Sequence, residues 1–221
     1  VTGYRRPALD APEVRDSSGR VVPFGRRWQH LAGPPEELYG VDRHPERFEP
    51  LHRVADAVVE HLVSTYRVGV EPAALQRRGP LDTEEMLRTV RLQPATPDAS
   101  GLTVAWSRYP GLRLEWGHLG RAAYPQCGCE ACDETWESAA DELEEDVFAL
   151  VEGRYGEHLT ELDGRPATGT VVVDPVGSPV RSSRTSSDLT PRARAELGRH
   201  LARLPDGRWP AWPRRDADPT A

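Results

Sequence analysis

Between Phe48 and Val63 the apolar side chains Leu51, Val54, Ala55, Val58 and Leu62 recur three or four residues apart, which puts them on one stripe of an α-helix. Pro50 fits only in the first turn, where its missing N–H has no intrahelical partner, so the pattern predicts a helix over residues 47–65. The period then changes to two. Tyr66 to Val70 is short and β-branched, Arg88 to Gln93 alternates through Val90 and Leu92, and Leu102, Val104, Trp106 and Leu112, Leu114, Trp116 alternate again. Pro110-Gly111 supplies the turn between the last two runs. Strict alternation means one covered and one wet face, the pattern of antiparallel pairing. Between the first two runs, 71–87 reads as a loop with room for a helical turn capped by Asp82 or Thr83.

A second helical stripe, Trp136, Ala140, Leu143, Val147, Leu150 and Val151, is expected to begin at Asp133 as N-cap and to stop at Gly153. Strand patterns return at Glu157–Leu162 and Thr168–Val173 around Asp163-Gly164, a hairpin signal. Thr190-Pro191 opens a last helix with Leu197, Leu201 and Leu204 on its stripe, closed by Asp206-Gly207. The Pro-rich end with Trp209 and Trp212 is expected to lie back on the body. The fold class is α+β: a mostly antiparallel sheet of five to seven strands with helices near 47–65, 133–152 and 191–204 packed on one face. Residues 1–41 read as an extended Pro/Gly/Arg-rich arm docking through Trp28, Leu31, Leu38 and Tyr39, residues 42–215 as a single domain, and 216–221 as a tail.

Charge and composition narrow the function classes. With 38% hydrophobic residues over 221 positions the chain can bury a core without staples. A formal net charge of -7 argues against a dedicated nucleic-acid binder, which needs a clustered basic face. No run is long and apolar enough to span a membrane, and the early arginines interrupt any signal peptide, so a cytoplasmic location is expected. All 28 basic residues are arginine, and lysine, isoleucine and asparagine are absent, a mark of GC-rich coding.

All three cysteines fall in six residues, Cys127-Gly-Cys129-Glu-Ala-Cys132. Three readings of this motif stand open. A tight turn of small side chains between a sheet end and a helix would simply pack. As a metal site, Cys129 and Cys132 can point both sulfurs at one centre, with Cys127 reaching it across Gly128; a structural zinc would then need a fourth ligand, and His118 is the first candidate, with Asp133 or His158 behind it. A reactive thiol at a helix N-terminus is the third reading, and Glu130, Asp133 and Glu134 oppose it because nearby negative charge raises a thiol pKa. From Glu130 to Glu161 twelve carboxylates face one arginine, Arg154, a solvated helix face or a surface for a protein partner.

The run Pro125-Gln-Cys-Gly-Cys-Glu-Ala-Cys-Asp-Glu, with Tyr109-Pro-Gly and Pro45-Glu-Arg-Phe-Glu-Pro-Leu-His before it, resembles a family of actinobacterial proteins that carry no assigned function. The resemblance covers roughly residues 40–215 and implies membership without any activity. One further candidate site is Arg181-Ser-Ser-Arg184, two arginines among hydroxyls that suit an anion, or an edge strand. No Gly-x-Ser-x-Gly, His-Glu-x-x-His, Walker loop or dinucleotide fingerprint is present, and no catalytic residue is assigned. The expected function is therefore a non-catalytic binding or regulatory module, with a thiol-dependent or metal-dependent enzyme built on Cys127, Cys129 and Cys132 as the alternative.

Overall fold

A computed structural model of the chain describes residues 3–10, 12–75 and 84–215. The turn expected near Asp82 or Thr83 and the tail at 216–221 lie outside the described residues. A 3₁₀ turn, Pro45–Phe48, leads into helix α1, Pro50–Thr65, so the proline occupies the first helical position as its chemistry requires. Leu51, Val54, Ala55, Val58 and Leu62 are all buried. No side chain caps this helix at its N-terminus. A cap is worth about 1 kcal/mol and each fully buried Leu or Val roughly 1.5–3 kcal/mol, so packing decides where α1 sits.

Five strands follow, β1 (Val68–Pro72), β2 (Met86–Pro94), β3 (Leu102–Ser107), β4 (Leu112–Trp116) and β5 (Gly120–Tyr124), each pairing antiparallel with the next. Every expected strand here is present, and β5 is an addition. Its sequence, Gly-Arg-Ala-Ala-Tyr, carries small side chains that produce no alternation to read. The inward face of this sheet, with Leu92, Leu102, Val104, Trp106, Leu112, Leu114 and Trp116, shares one core with α1 and with helix α2, Trp136–Val151. β3 departs from strict alternation, because Thr103, Ala105 and Ser107 on its other face are buried too. Their cross-strand neighbours include Arg91 and Arg113, and Arg91 donates to the Thr103 hydroxyl at 3.3 Å, so long arginine stems cover that face.

The remaining strands form a second sheet rather than extending the first. β6 (Tyr155–Leu162), β7 (Arg165–Val173) and β8 (Pro179–Ser186) pair in order, joined at β6–β7 by Asp163 and Gly164, both at positive φ as the tight primed hairpin turn demands. The expectation of one sheet is corrected to two sheets of five and three strands, because α2 enters between β5 and β6 and leaves their edges unpaired with each other. Helix α3, Pro191–Leu201, capped by Thr190, lies beside β6, where Arg194 donates to the carbonyls of Thr160 and Ala167 at 3.0 Å each. The C-terminal segment then runs back over everything. Trp209 N–H bonds Tyr155 O at 2.9 Å, Trp212 N–H bonds Val151 O at 2.9 Å, and the Trp212 indole donates to Ser100 O at 2.8 Å.

One side chain joins the two sheets at their interior. Glu157 on β6, 1% exposed, sends its carboxylate into the β4–β5 turn, where it accepts from the backbone N–H groups of Leu119 at 2.8 Å, His118 at 3.1 Å and Gly120 at 3.2 Å, and from the Tyr155 hydroxyl at 3.0 Å. Gly117 makes the approach possible: its φ is +58°, and a Cβ there would strike the Glu157 carboxylate.

Replacing Glu157 with alanine strands these buried donors, each costing about 1–3 kcal/mol when unpaired. With relief from water, E157A is expected to lose roughly 3–5 kcal/mol of stability, and E157Q, which keeps one acceptor oxygen, less than half of that. Urea-unfolding midpoints measure both, and an unchanged midpoint for E157A would show that the carboxylate does not hold the sheets together.

Candidate functional site

The cysteine loop, residues 125–135, connects the end of β5 to the start of α2. Its helix begins two residues later than expected. Asp133 has φ +54° and gives its carboxylate to Arg27, so the cap passes to Thr135, which forms a reciprocal capping box with Ser138. Gly153, at φ +74°, ends α2 where the sequence placed the stop.

Two buried arginines from upstream grip the loop. Arg27 reaches Glu130 and Asp133 at 2.5 Å each, its backbone N–H reaches Asp133 at 2.9 Å, and all three side chains are at most 10% exposed. Arg47 donates to the carbonyls of Gly128 at 2.6 Å, His44 at 2.7 Å and Glu134 at 3.3 Å. The Phe24 ring lies between the two guanidiniums, 4.0 Å from Arg27 and 4.2 Å from Arg47. Backbone bonds complete the attachment: Glu130 N–H to Val41 O at 2.7 Å, Ala131 N–H to Leu38 O at 3.2 Å, and the Trp28 indole to Ala131 O at 2.9 Å. Trp28 and Leu38 thus dock as expected, whereas Leu31 and Tyr39 stand 56% and 58% exposed.

Held in this way, the loop brings its three sulfurs together. The Cys127, Cys129 and Cys132 Sγ atoms all lie within 4.8 Å of one another, with Cys127 and Cys129 at 3.2 Å, and all three are free thiols. Cys129 is buried, Cys127 half-buried and Cys132 exposed. Gly128 passes so close to the Tyr109 ring that a Cβ there would collide with the phenol oxygen. Burial alone would push the Cys129 thiol up, but hydrogen bonds from the Cys127 and Cys132 side chains and from the backbone N–H groups of Cys132 and Gly40 outweigh it and bring it down to about 7. Cys132 moves the other way, to about 12, because it is bonded to the other two sulfurs.

For Cys129 the direction is opposite to the expectation that the nearby acids raise a thiol pKa, while Cys132 is raised by its sulfur neighbours and not by those acids. The acids are spent elsewhere: Glu130 and Asp133 on Arg27, and Glu134 on the backbone N–H groups of Gln126 at 3.0 Å and Cys127 at 2.9 Å. The candidate fourth ligands do not join the sulfurs. His118 sits at the opposite end of β5, its ring against those of His200 at 5.1 Å and Trp209 at 5.3 Å, and His158 lies on β6 beside Gly169.

The arginine pair proposed for anions is split by the strand that carries it. Arg181 and Arg184 lie three residues apart on β8, hence on opposite faces, and Arg181 is paired with Asp146 of α2. Arg181 borders an open cavity of ≈ 620 Å³ between β5 and the second sheet, with Thr168, Thr170, Ser183 and Thr185 on its wall. The residues that sequence reasoning missed are Phe24, Arg27 and Arg47. Each lies some eighty to a hundred positions upstream of the cysteines; Phe24 and Arg27 look like the other arm residues, and Arg47, in the turn before α1, carries no local mark of its partners in the loop.

Two outcomes follow from the loop's electrostatics. R27A removes the guanidinium from two buried carboxylates, leaving Asp133 the residue-27 N–H and Glu130 only Arg47 at 4.0 Å, and is expected to cost roughly 3–5 kcal/mol. Adding D133N should recover part of that loss in a double-mutant cycle read by thermal unfolding, and strict additivity would refute the pairing. In protein stripped of metal with a chelator, thiolate absorbance followed against pH should show one thiol ionising near pH 7, with one still protonated well above the ordinary thiol range. C129S should remove the neutral step, since the depressed group is charged above its folded pKa and protonated below it.

No curated protein and no solved structure is detectably similar to the chain. Residues 10–216 do match a family model described as a family of unknown function, DUF6226. The membership expected from the cysteine motif therefore holds, and the match extends some thirty residues further into the N-terminal segment, taking in Arg27 and Trp28. The match spans nearly the whole sequence, and the chain belongs to the DUF6226 family.

Proposed function

We propose that this protein is a non-catalytic binding or regulatory module whose Cys127, Cys129 and Cys132 hold a zinc ion. The observation that carries the reading is the convergence of all three thiols within 4.8 Å on a loop clamped by two buried arginines. Soft thiolates suit zinc, and a loop with no regular structure of its own is the kind of segment that a bound ion stabilises. Asp133 and Glu134 are committed to Arg27 and to backbone N–H groups and Glu130 gives one oxygen to Arg27, and no carboxylate among the described residues lies in the sulfur group, which leaves the sulfurs as the ready donors. In this reading residues 42–215 form one domain and the 1–41 arm is the clamp over its metal loop.

A cytoplasmic location goes with the free cysteines, because that compartment keeps thiols reduced. No helix among the described residues is long and apolar enough to cross a membrane. The all-arginine basic set fits a GC-rich actinobacterial source. A protein partner is the class of partner this reading favours, given the net charge of -7.

A second reading, a thiol-dependent enzyme, is favoured by the Cys127 Sγ lying 3.2 Å from the Cys129 Sγ, a hydrogen bond that stabilises the Cys129 thiolate. Elemental analysis and native mass spectrometry of protein purified without chelator separate the two. One zinc per chain, lost in C129S and in C132S, is expected. A folded metal-free chain whose three thiols titrate freely would overturn the zinc reading and favour the thiol enzyme.

A further inference from the structure

Three sulfurs supply three ligands, and a tetrahedral ion takes four. No carboxylate of the loop joins the sulfur group, although one buried oxygen of Glu130 has no hydrogen-bond partner among the described residues. Both oxygens of Asp133 are held by Arg27, and both of Glu134 by backbone N–H groups. Glu130 gives one oxygen to Arg27, and its other oxygen lies 4.0 Å from Arg47. Among the described residues no histidine joins the sulfur group. The exposed member, Cys132, borders an open cavity of ≈ 620 Å³ whose wall includes Arg26, Gln126, Glu134, Glu137 and Glu142. Resting on the zinc reading above, we propose that the metal held by Cys127, Cys129 and Cys132 keeps its fourth position open to this cavity and accepts there a small neutral nitrogen donor that carries a cationic tail.

The ligand class follows from size and charge. A water molecule occupies about 30 Å³ in the liquid, so the cavity has room for a ring-sized donor. Three thiolates around a dication leave the centre with an excess negative charge, and Glu137 and Glu142 add theirs at the wall. Among the described residues Arg26 is the one arginine lining the cavity, against Glu137, Glu142 and the negative centre, so the balance of charge disfavours an anionic ligand. A neutral ring nitrogen is accepted at the metal, and an ammonium tail is attracted to the carboxylates. Such partly exposed charge pairs contribute up to about 1 kcal/mol, roughly a fivefold gain in affinity. The step is a ligand exchange: the metal–water bond breaks, the nitrogen lone pair forms the new bond, and no electrons are transferred. A closed structural centre has no such vacancy, and this feature sets the proposal apart from an ordinary zinc clasp.

Cobalt(II) in place of zinc makes the test visible, since its absorption bands report both thiolate ligation and a change of the fourth ligand. The full chain loaded with cobalt(II) is titrated with imidazole, histamine and imidazoleacetic acid. The bands should shift with imidazole, shift at roughly two- to fivefold lower concentration with histamine, and shift last with the anionic acid. The E137Q/E142Q double variant should bring histamine and imidazole to the same midpoint. Bands that show thiolate ligation but respond to none of the three probes would overturn the open position and leave the zinc reading standing. Failure to take up cobalt(II) or zinc would remove both. An affinity order with the anionic probe first would overturn the assigned ligand class.

Discussion

A carboxylate taken out of water has to be met by a cation or by a set of N–H groups, and that requirement organises this molecule. Glu130, Asp133 and Glu157 are 5%, 9% and 1% exposed, and each is met by partners far away in the sequence. Arg27 answers the first two across about a hundred residues. The β4–β5 turn answers the third with successive backbone amides. Burying these charges unpaired would cost several kcal/mol each, so the arm, the cysteine loop and the second sheet can settle only where the pairs close.

The same pairs explain why three thiols can share so small a space. If Glu130, Asp133 and Glu134 projected freely around the sulfurs, their field would hold every thiol neutral. Once they are tied to Arg27 and to the N–H groups of Gln126 and Cys127, hydrogen bonds among the sulfurs become the deciding influence. One thiol is then drawn down and another pushed up. The loop is electrically quiet on its buried side and acidic toward the cavity beside Cys132.

Helix α2 shows the same self-neutralisation on a larger scale. Its apolar stripe closes the core under the five-stranded sheet, while its acidic face is met by arginines of this same chain: Arg6 at Asp141 and Glu144, and Arg181 at Asp146. The face left over for a partner is correspondingly narrower than a count of carboxylates suggests.

The periodicities of the chain determined its three helices, six of the eight strands described and the hairpin at Asp163-Gly164, because a helical or strand repeat is written in neighbouring residues, whereas β8 entered only as one of two readings of Arg181-Ser-Ser-Arg184. The family was recognisable as well, by the resemblance of the runs 125–134, 109–111 and 45–52. β5 escaped because Gly, Ala and Ala carry no polarity contrast, and the late start of α2 escaped because Asp133 looks like a cap until Arg27 claims it. Only the tertiary structure decided that the strands divide into two sheets, that His118 turns to His200 and Trp209 instead of the sulfurs, and that Arg27 and Arg47 hold the loop. The arginine clasp and the His118 contacts depend on segments eighty or more residues apart, and the two sheets meet where Glu157 reaches a turn 39 residues away; the energy of a buried charge is set by where the chain brings its partners, which no local pattern encodes.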